Sequence, residues 1–336
     1  MDHSSTMPYP APGWLRGGHL QTIYPAKCIR KPAVVYRRVR WPAPDGDFID
    51  IDFVDNPQDV SGPANYQGQP FVLLFHGLEG SSDSHYARAL MAQVTARGWC
   101  GAVVHFRGCS GELNLAPRFY HSGDAQEVDW IVRRLHAHHQ AQHGARFYTV
   151  GVSLGANALL RWLGEFQHRA EIVDAACAIS APLDLAGGGA ALSNGANRLY
   201  THIFLQTLKP KCLQKLAQFP GLFDREQMLR ARNLYEFDNI VTAPLHGYRN
   251  TDDYWDRASA KHVLNDITVP TLVLNACNDP FLPARYLPQS ASPSIELDYP
   301  QQGGHVGFTV GQFPGSLNWL PQRVLYFLGG THDRNN

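Results

Sequence analysis

The stretch RFYTVGVSLGANALLRWLGEF, residues 146–166, decides the fold. Its first seven residues form a β-rich, largely apolar run, and its last thirteen repeat apolar side chains at helical spacing. Between the two stands Ser153, with Gly151 and Gly155 two places to either side. A chain that passes from strand to helix with no loop must turn within about one residue, and neighbours without Cβ atoms let strand and helix approach closely. Such a turn strains the serine backbone and lifts its hydroxyl above the sheet. It also aims the free N–H groups of the helix N-terminus at whatever reacts there. The pattern predicts a nucleophile at Ser153 and a donor for developing negative charge at the Leu154 amide.

Working outward, strand-like runs alternate with helical ones. VVYRRVRW (34–41) and DFIDIDFV (47–54), separated by the turn-rich PAPDG, read as an antiparallel hairpin. PFVLLFH (70–76), CGAVVHF (100–106), RFYTVGV (146–152) and VDAACAIS (173–180) are continuous apolar runs, as expected of parallel strands covered on both faces. VPTLVLNA (269–276) and SIELDY (294–299) add two more. Helical patterns occupy 84–98, 124–139, 154–166 and the region after Gly315. The prediction is an α/β protein with about eight strands, mostly parallel, and helices on both faces. Residues 184–265 break the alternation with helical runs such as RLYTHIFLQTLK, and an excursion that long reads as a helical lid. The expected division is an N-terminal arm (1–33), a core in two parts (34–183 and 266–336) and the lid (184–265).

Composition narrows the function classes. The chain has 336 residues, 44% hydrophobic and 17% charged, which suits a well-cored globular enzyme. Its 29 basic and 29 acidic residues cancel, so no broad field attracts nucleic acid or an anionic membrane. No apolar run reaches the roughly 18 residues of a membrane span, and no secretory signal opens the sequence. Cys28, Cys100, Cys109, Cys177, Cys212 and Cys277 lack CxxC spacing and read as free thiols in a reducing cytosol, giving a soluble, cytoplasmic expectation.

A serine hydroxyl needs a base, and the base an orienting carboxylate. LVLNACNDPFLP places Asp279 just past the strand at 269–276, with Pro280 expected to open a helix. DYPQQGGHVGF places His305 in a glycine-flanked loop just past the strand at 294–299. Both therefore fall at the sheet edge that carries Ser153. The rival acids Asp252, Asp253 and Asp266 and the rival bases His246 and His262 lie in or beside the insertion, where no strand end fixes them. LLFHGLEGSSDSHY follows the third strand, and its Leu78 amide, after His76-Gly77, is the candidate second oxyanion donor.

Further segments bear a family likeness: GGHLQTIYP (17–25), FHGLEGSSDSHYARAL (75–90), VVHFRGCSGELN (103–114), GVSLGAN (151–157), CNDPF with GGHVGF, and YEFDNIVTAPLHGYRNTDDYW (235–255). With these, the sequence resembles the α/β-hydrolases, and more narrowly the bacterial YheT-type esterases, relatives of the eukaryotic ABHD1/2/3 group and of yeast medium-chain acyl esterases. The resemblance implies a catalytic triad of Ser153, Asp279 and His305. It implies hydrolysis of carboxylic esters with short- to medium-chain acyl groups, or of acylglycerol-like lipids. Some relatives transfer acyl groups to alcohols, but an HxxxxD acyltransferase signature has no match here. The alternatives are an alcohol O-acyltransferase using the same triad and a non-catalytic binding protein of the same fold.

Other signals read as structural. Arg107 is expected to tie its loop to a carboxylate, and His19 and Gln21 to fasten the arm. His136, His139 and His143 share a helix face but lack a completing carboxylate or cysteine, so a solvated face is expected rather than a metal site. The stripe of Leu199, Ile203, Phe204, Thr207 and Leu208 is expected to pack within the lid. No phosphate loop or dinucleotide fingerprint is present, and no cofactor is implied.

Overall fold

A computed structural model describes residues 7–54, 68–141 and 144–330. The elements up to the elbow are α1 (Gly18–Lys27), β1 (Arg37–Pro42), β2 (Phe48–Val54), β3 (Phe71–Phe75), α2 (His85–Ala96), β4 (Cys100–His105), α3 (Ala125–Ala141) and β5 (Phe147–Val152). Then come α4 (Leu154–Phe166), β6 (Ala175–Ile179), α5 (Leu185–Leu192), α6 (Arg198–Gln218), α7 (Arg225–Arg230), α8 (Leu234–Phe237), α9 (Ala243–Leu245) and α10 (Thr251–Ala258). β7 (Thr271–Leu274), β8 (Ile295–Asp298) and α11 (Trp319–Gly330) close the chain.

The eight strands form one sheet in the order β1-β2-β4-β3-β5-β6-β7-β8. β2 runs antiparallel to both β1 and β4, and the other pairs are parallel. Every residue of β3, β4, β5 and β6 is buried, because helices cover both faces. Successive side chains of a strand point to opposite sides, and β3 divides accordingly. Phe71, Leu73 and Phe75 join a core with Val128, Ile131 and Leu135 of α3 and Leu159 and Leu163 of α4. Val72 and Leu74 join another with Leu90, Met91 and Val94 of α2 and Val324, Leu325 and Leu328 of α11. The long apolar runs of the sequence are these doubly covered strands.

Between β6 and β7 the chain leaves the sheet for α5 to α10. This insertion has its own apolar cluster, with Leu205, Cys212, Met228, Phe237 and Val241 at its centre. Tyr254, Trp255 and Ala258 of α10 pack with Leu185 and Ala243 in another.

Several local expectations are corrected. No helix begins at Pro280: Pro280, Pro283 and Pro288 leave one 3-10 turn, Ala284–Tyr286, because proline removes a donor and restricts the residue before it. The arm contains the helix α1. His139 is not solvated; it is buried between Phe71 and Phe147 with Nε2 3.1 Å from the Gln69 carbonyl. His143 lies outside the described residues. In α6 the stripe divides, with Leu199 and Ile203 exposed and Phe204 and Leu208 facing a cavity. Cys177 and Cys212 are buried free thiols, and Cys100 is buried. No helix among the described residues is long and apolar enough to cross a membrane.

Candidate active site

The turn from β5 to α4 is as tight as the glycines suggested. Ser153 stands at φ 53, a left-handed conformation, and its carbonyl accepts the amides of Ala156 and Asn157 at 2.9 and 3.1 Å. A Cβ on Gly155 would lie 2.5 Å from the His76 carbonyl oxygen, and one on Gly151 2.5 Å from the Ala156 Cα. Strand and helix meet there with no room for a side chain.

Asp279 and His305 reach the same place from the ends of β7 and β8. His305 Nε2 lies 2.9 Å from Ser153 Oγ, and His305 Nδ1 lies 2.8 Å from Asp279 Oδ2. The second carboxylate oxygen of Asp279, which is 2% exposed, accepts the Phe281 amide at 2.7 Å. The Phe281 ring stacks on the imidazole with centroids 4.1 Å apart. With its Nδ1 proton donated to Asp279, the ring presents Nε2 as an acceptor for the serine proton. The rival acids and bases, His246 apart, stay elsewhere. Asp253 pairs with Arg249 and Arg257, Asp252 accepts the Tyr235 hydroxyl, and His262 faces Asp256. Asp266 ends a 3-10 turn on the approach to β7. His246 lines the same cavity, but its ring packs on His121 with centroids 4.3 Å apart.

The loops carrying Asp279 and His305 are pinned by the N-terminal arm. Gln21, fully buried, accepts Asn278 Nδ2 at 2.8 Å and the Gly303 amide at 3.0 Å, while its own amide donates to the Leu15 carbonyl. Asn278 Oδ1 accepts the Gly304 amide, and Thr22 Oγ1 accepts the His305 amide at 2.8 Å. Gln21 thus fastens the arm as anticipated, although nothing in the letters marks the loop of His305 as its target. His19 is exposed and meets Tyr200 of α6, Nδ1 to hydroxyl at 3.2 Å.

The loop after β3 is set by His76. Its Nε2 accepts the Phe106 amide at 3.1 Å, so its proton sits on Nδ1 and is donated to the Gly77 carbonyl at 2.7 Å. Burial pushes this histidine down to about 3, so the ring is neutral. The Gly77 carbonyl also accepts the Gly80 amide at 2.9 Å. In a trans peptide the next N–H points the opposite way, so these two donors turn the Leu78 N–H away from themselves. Among the described residues neither the Leu78 nor the Leu154 amide meets a protein acceptor, and both residues line the cavity with Ser153 and His305.

That cavity is walled by the core and by α5, α6, α8 and α10. Leu185, Leu192, Phe204, Leu208, Phe237 and Val241 make it mainly apolar. Its charged groups are nearly all engaged. Arg107, 5% exposed, meets Asp47 at 2.6 Å, Asp45 at 2.8 Å and Glu127 at 2.5 Å, which makes it the loop tie that was expected. Sequence reading missed Glu79, Lys211 and Asp238, which also line the cavity. Among the described residues no cluster of His, Cys, Asp or Glu could hold a metal ion. The arrangement can deprotonate a serine, hold a developing oxyanion between two amides and shelter an apolar group.

The sequence profile for the alpha/beta hydrolase fold matches residues 70–312. Among curated proteins, the Escherichia coli protein YheT is 38% identical over 311 residues, covering 91% of this chain and 88% of its own. The mouse phospholipase ABHD3 is 29% identical, with 94% and 76% covered. A Saccharomyces cerevisiae monoacylglycerol lipase is 27% identical, with 79% and 60% covered. Among solved structures, the Pyrococcus furiosus esterase Pf2001 superposes with a TM-score of 0.53 at 19% identity, covering 90% of this chain and 98% of that one, a likeness of fold.

Proposed function

The chain belongs to the α/β-hydrolase fold family, and on that premise we propose that it hydrolyses carboxylic esters through an acyl-enzyme formed on Ser153. His305 Nε2 takes the serine proton as Oγ attacks the ester carbonyl, and the Asp279 carboxylate holds the imidazole in the productive tautomer and stabilises the imidazolium. The amides of Leu78 and Leu154 receive the negative charge on the tetrahedral oxygen. The alcohol leaves with the proton from His305, and water repeats the sequence to release the acid. The observation that carries this reading is the unbroken relay, 2.8 Å from Asp279 to His305 and 2.9 Å from His305 to Ser153.

The names of the relatives favour lipid-like esters, and the mainly apolar cavity suits an acyl chain of short to medium length. The insertion, residues 184–265, acts as the lid that roofs this cavity. A fluorophosphonate probe labels Ser153, and the wild-type protein turns over p-nitrophenyl esters from acetate upward with a maximum below palmitate. Ser153→Ala abolishes both labelling and turnover without unfolding the chain. Full turnover in that variant overturns the proposal.

A further inference from the structure

Beside the Leu78 amide an ion pair joins the insertion to the core. Lys211, on α6, places Nζ 2.7 Å from Oε2 and 2.9 Å from Oε1 of Glu79. Glu79 follows Leu78 directly and stands at φ 55, a left-handed conformation that an L-residue keeps only when its surroundings hold it. Its amide donates to the Tyr120 hydroxyl at 2.8 Å, and that hydroxyl donates back to Glu79 Oε1 at 3.0 Å. The Tyr120 ring is in turn stacked on Phe106 of the core. The Leu78 amide is therefore bracketed. On one side His76 fixes the Gly77 carbonyl, and on the other the Glu79 carboxylate is gripped by Tyr120 and by α6.

Two further observations give the pair a function other than glue. The Lys211 side chain is 27% exposed and that of Glu79 10%, so the ammonium still meets solvent and can part from the carboxylate when α6 moves. Lys215, one turn further along α6, independently anchors the helix by donating to the carbonyls of Asn114 and Ala116 at 2.5 and 2.9 Å. Meanwhile Phe204, Leu208 and Lys211 lie on the α6 face that lines the cavity. Whatever fills the cavity presses on the helix that carries the ammonium group.

We propose that Lys211 is a positioning residue: through Glu79 it holds the Leu78 amide on the oxyanion and couples filling of the cavity to stabilisation of the tetrahedral intermediate. This rests on the reading of Leu78 as an oxyanion donor. Losing such a donor outright typically lowers the rate on the order of 10²–10³-fold, and a misplaced one lowers it less.

The test compares steady-state kinetics on p-nitrophenyl butyrate. Lys211→Met lowers kcat roughly 10–30-fold with KM within about twofold, and Lys211→Arg recovers to within about threefold of wild type. Affinity for an alkylboronic acid, which forms a tetrahedral adduct, falls in step with kcat, while affinity for butyrate is unchanged. The double variant Glu79→Gln with Lys211→Met is no slower than the worse single variant, as for two parts of one unit. Circular dichroism at the assay temperature shows each variant fully folded, so the kinetic losses are read on folded protein. An unchanged kcat in Lys211→Met, a loss confined to KM, or additive losses in the double variant overturns the proposal. Wild-type labelling by the fluorophosphonate probe separates the two failures. An unlabelled Ser153 removes the underlying reading, whereas a labelled Ser153 with a normal Lys211→Met removes the coupling alone.

Discussion

Replacing Asp238 by asparagine should stabilise the protein at neutral and alkaline pH and leave it unchanged in acid. Asp238 opens the π-helical turn Asp238–Thr242 and faces the cavity. Its Oδ1 accepts the Thr242 hydroxyl at 2.6 Å and its Oδ2 the Trp255 indole N–H at 2.8 Å, but among the described residues no cation accompanies it. Burial pushes the carboxyl up from 3.8 to about 6 despite these two donors. Between those values the folded chain holds more protons than the unfolded one, so stability falls as pH rises through that window and stays lower above it. A difference of about two pH units corresponds to a ceiling of about 3 kcal/mol. Because the residue is only half-buried, about 1–2 kcal/mol is the better figure. Asparagine keeps both contacts: its carbonyl accepts from Trp255, and the Thr242 hydroxyl rotates to accept from the new amide. Thermal unfolding at pH 8 should show a midpoint about 2–5 °C above wild type, and unfolding at pH 3.5 no difference. No gain at pH 8, or an equal gain at both pH values, would refute the reasoning.

Three other outcomes are expected. Asp279→Asn should lower kcat on the order of 10⁴-fold, by analogy with triad variants of this kind, while near-ultraviolet dichroism reports an unchanged fold. Gly155→Ala puts a methyl 2.5 Å from the His76 carbonyl oxygen and should cost about 1–3 kcal/mol in urea unfolding. His76 is held neutral in the fold at about 3 against an ordinary 6.5. The stability it contributes is complete above pH 6.5 and lost as pH falls towards 3, about 2 kcal/mol of it between pH 7 and pH 5. Denaturant titrations across that range should show the loss, and His76→Gln should reduce its slope.

What could be read from the letters follows from how local each signal is. The doubly covered strands announced themselves because every position from Phe71 to Phe75 and from Phe147 to Val152 is buried, leaving no polar alternation. Strand ends then located Asp279 and His305 beside Ser153, since side chains just past parallel strands emerge at one rim. Proline density defeated the helix expected after Asp279. His139 misled because a histidine-rich face resembles a wet one until two phenylalanines from other strands are known to cover it. The roles of Glu79, Lys211 and Asp238 depend on how the insertion folds back over the rim. Pairs such as Glu79 with Lys211, 132 residues apart, leave no periodic trace. Asp238 had a faint signal, an acid inside the apolar run YEFDNIV.

The Gln21 hub sets a schedule for biosynthesis. Its partners Asn278 and Gly303 lie 257 and 282 residues further along the polypeptide. During translation the segment around residue 21 is made long before these partners, and its side-chain carbonyl has only water to accept from until residues 278 and 303 have emerged. A nascent chain can close its strands progressively, yet the loop that presents the imidazole has nothing to be fastened to, or with, before that moment. Esterase capacity should therefore switch on abruptly once residues 278 to 305 have emerged and docked on the arm, and not stepwise as the strands close.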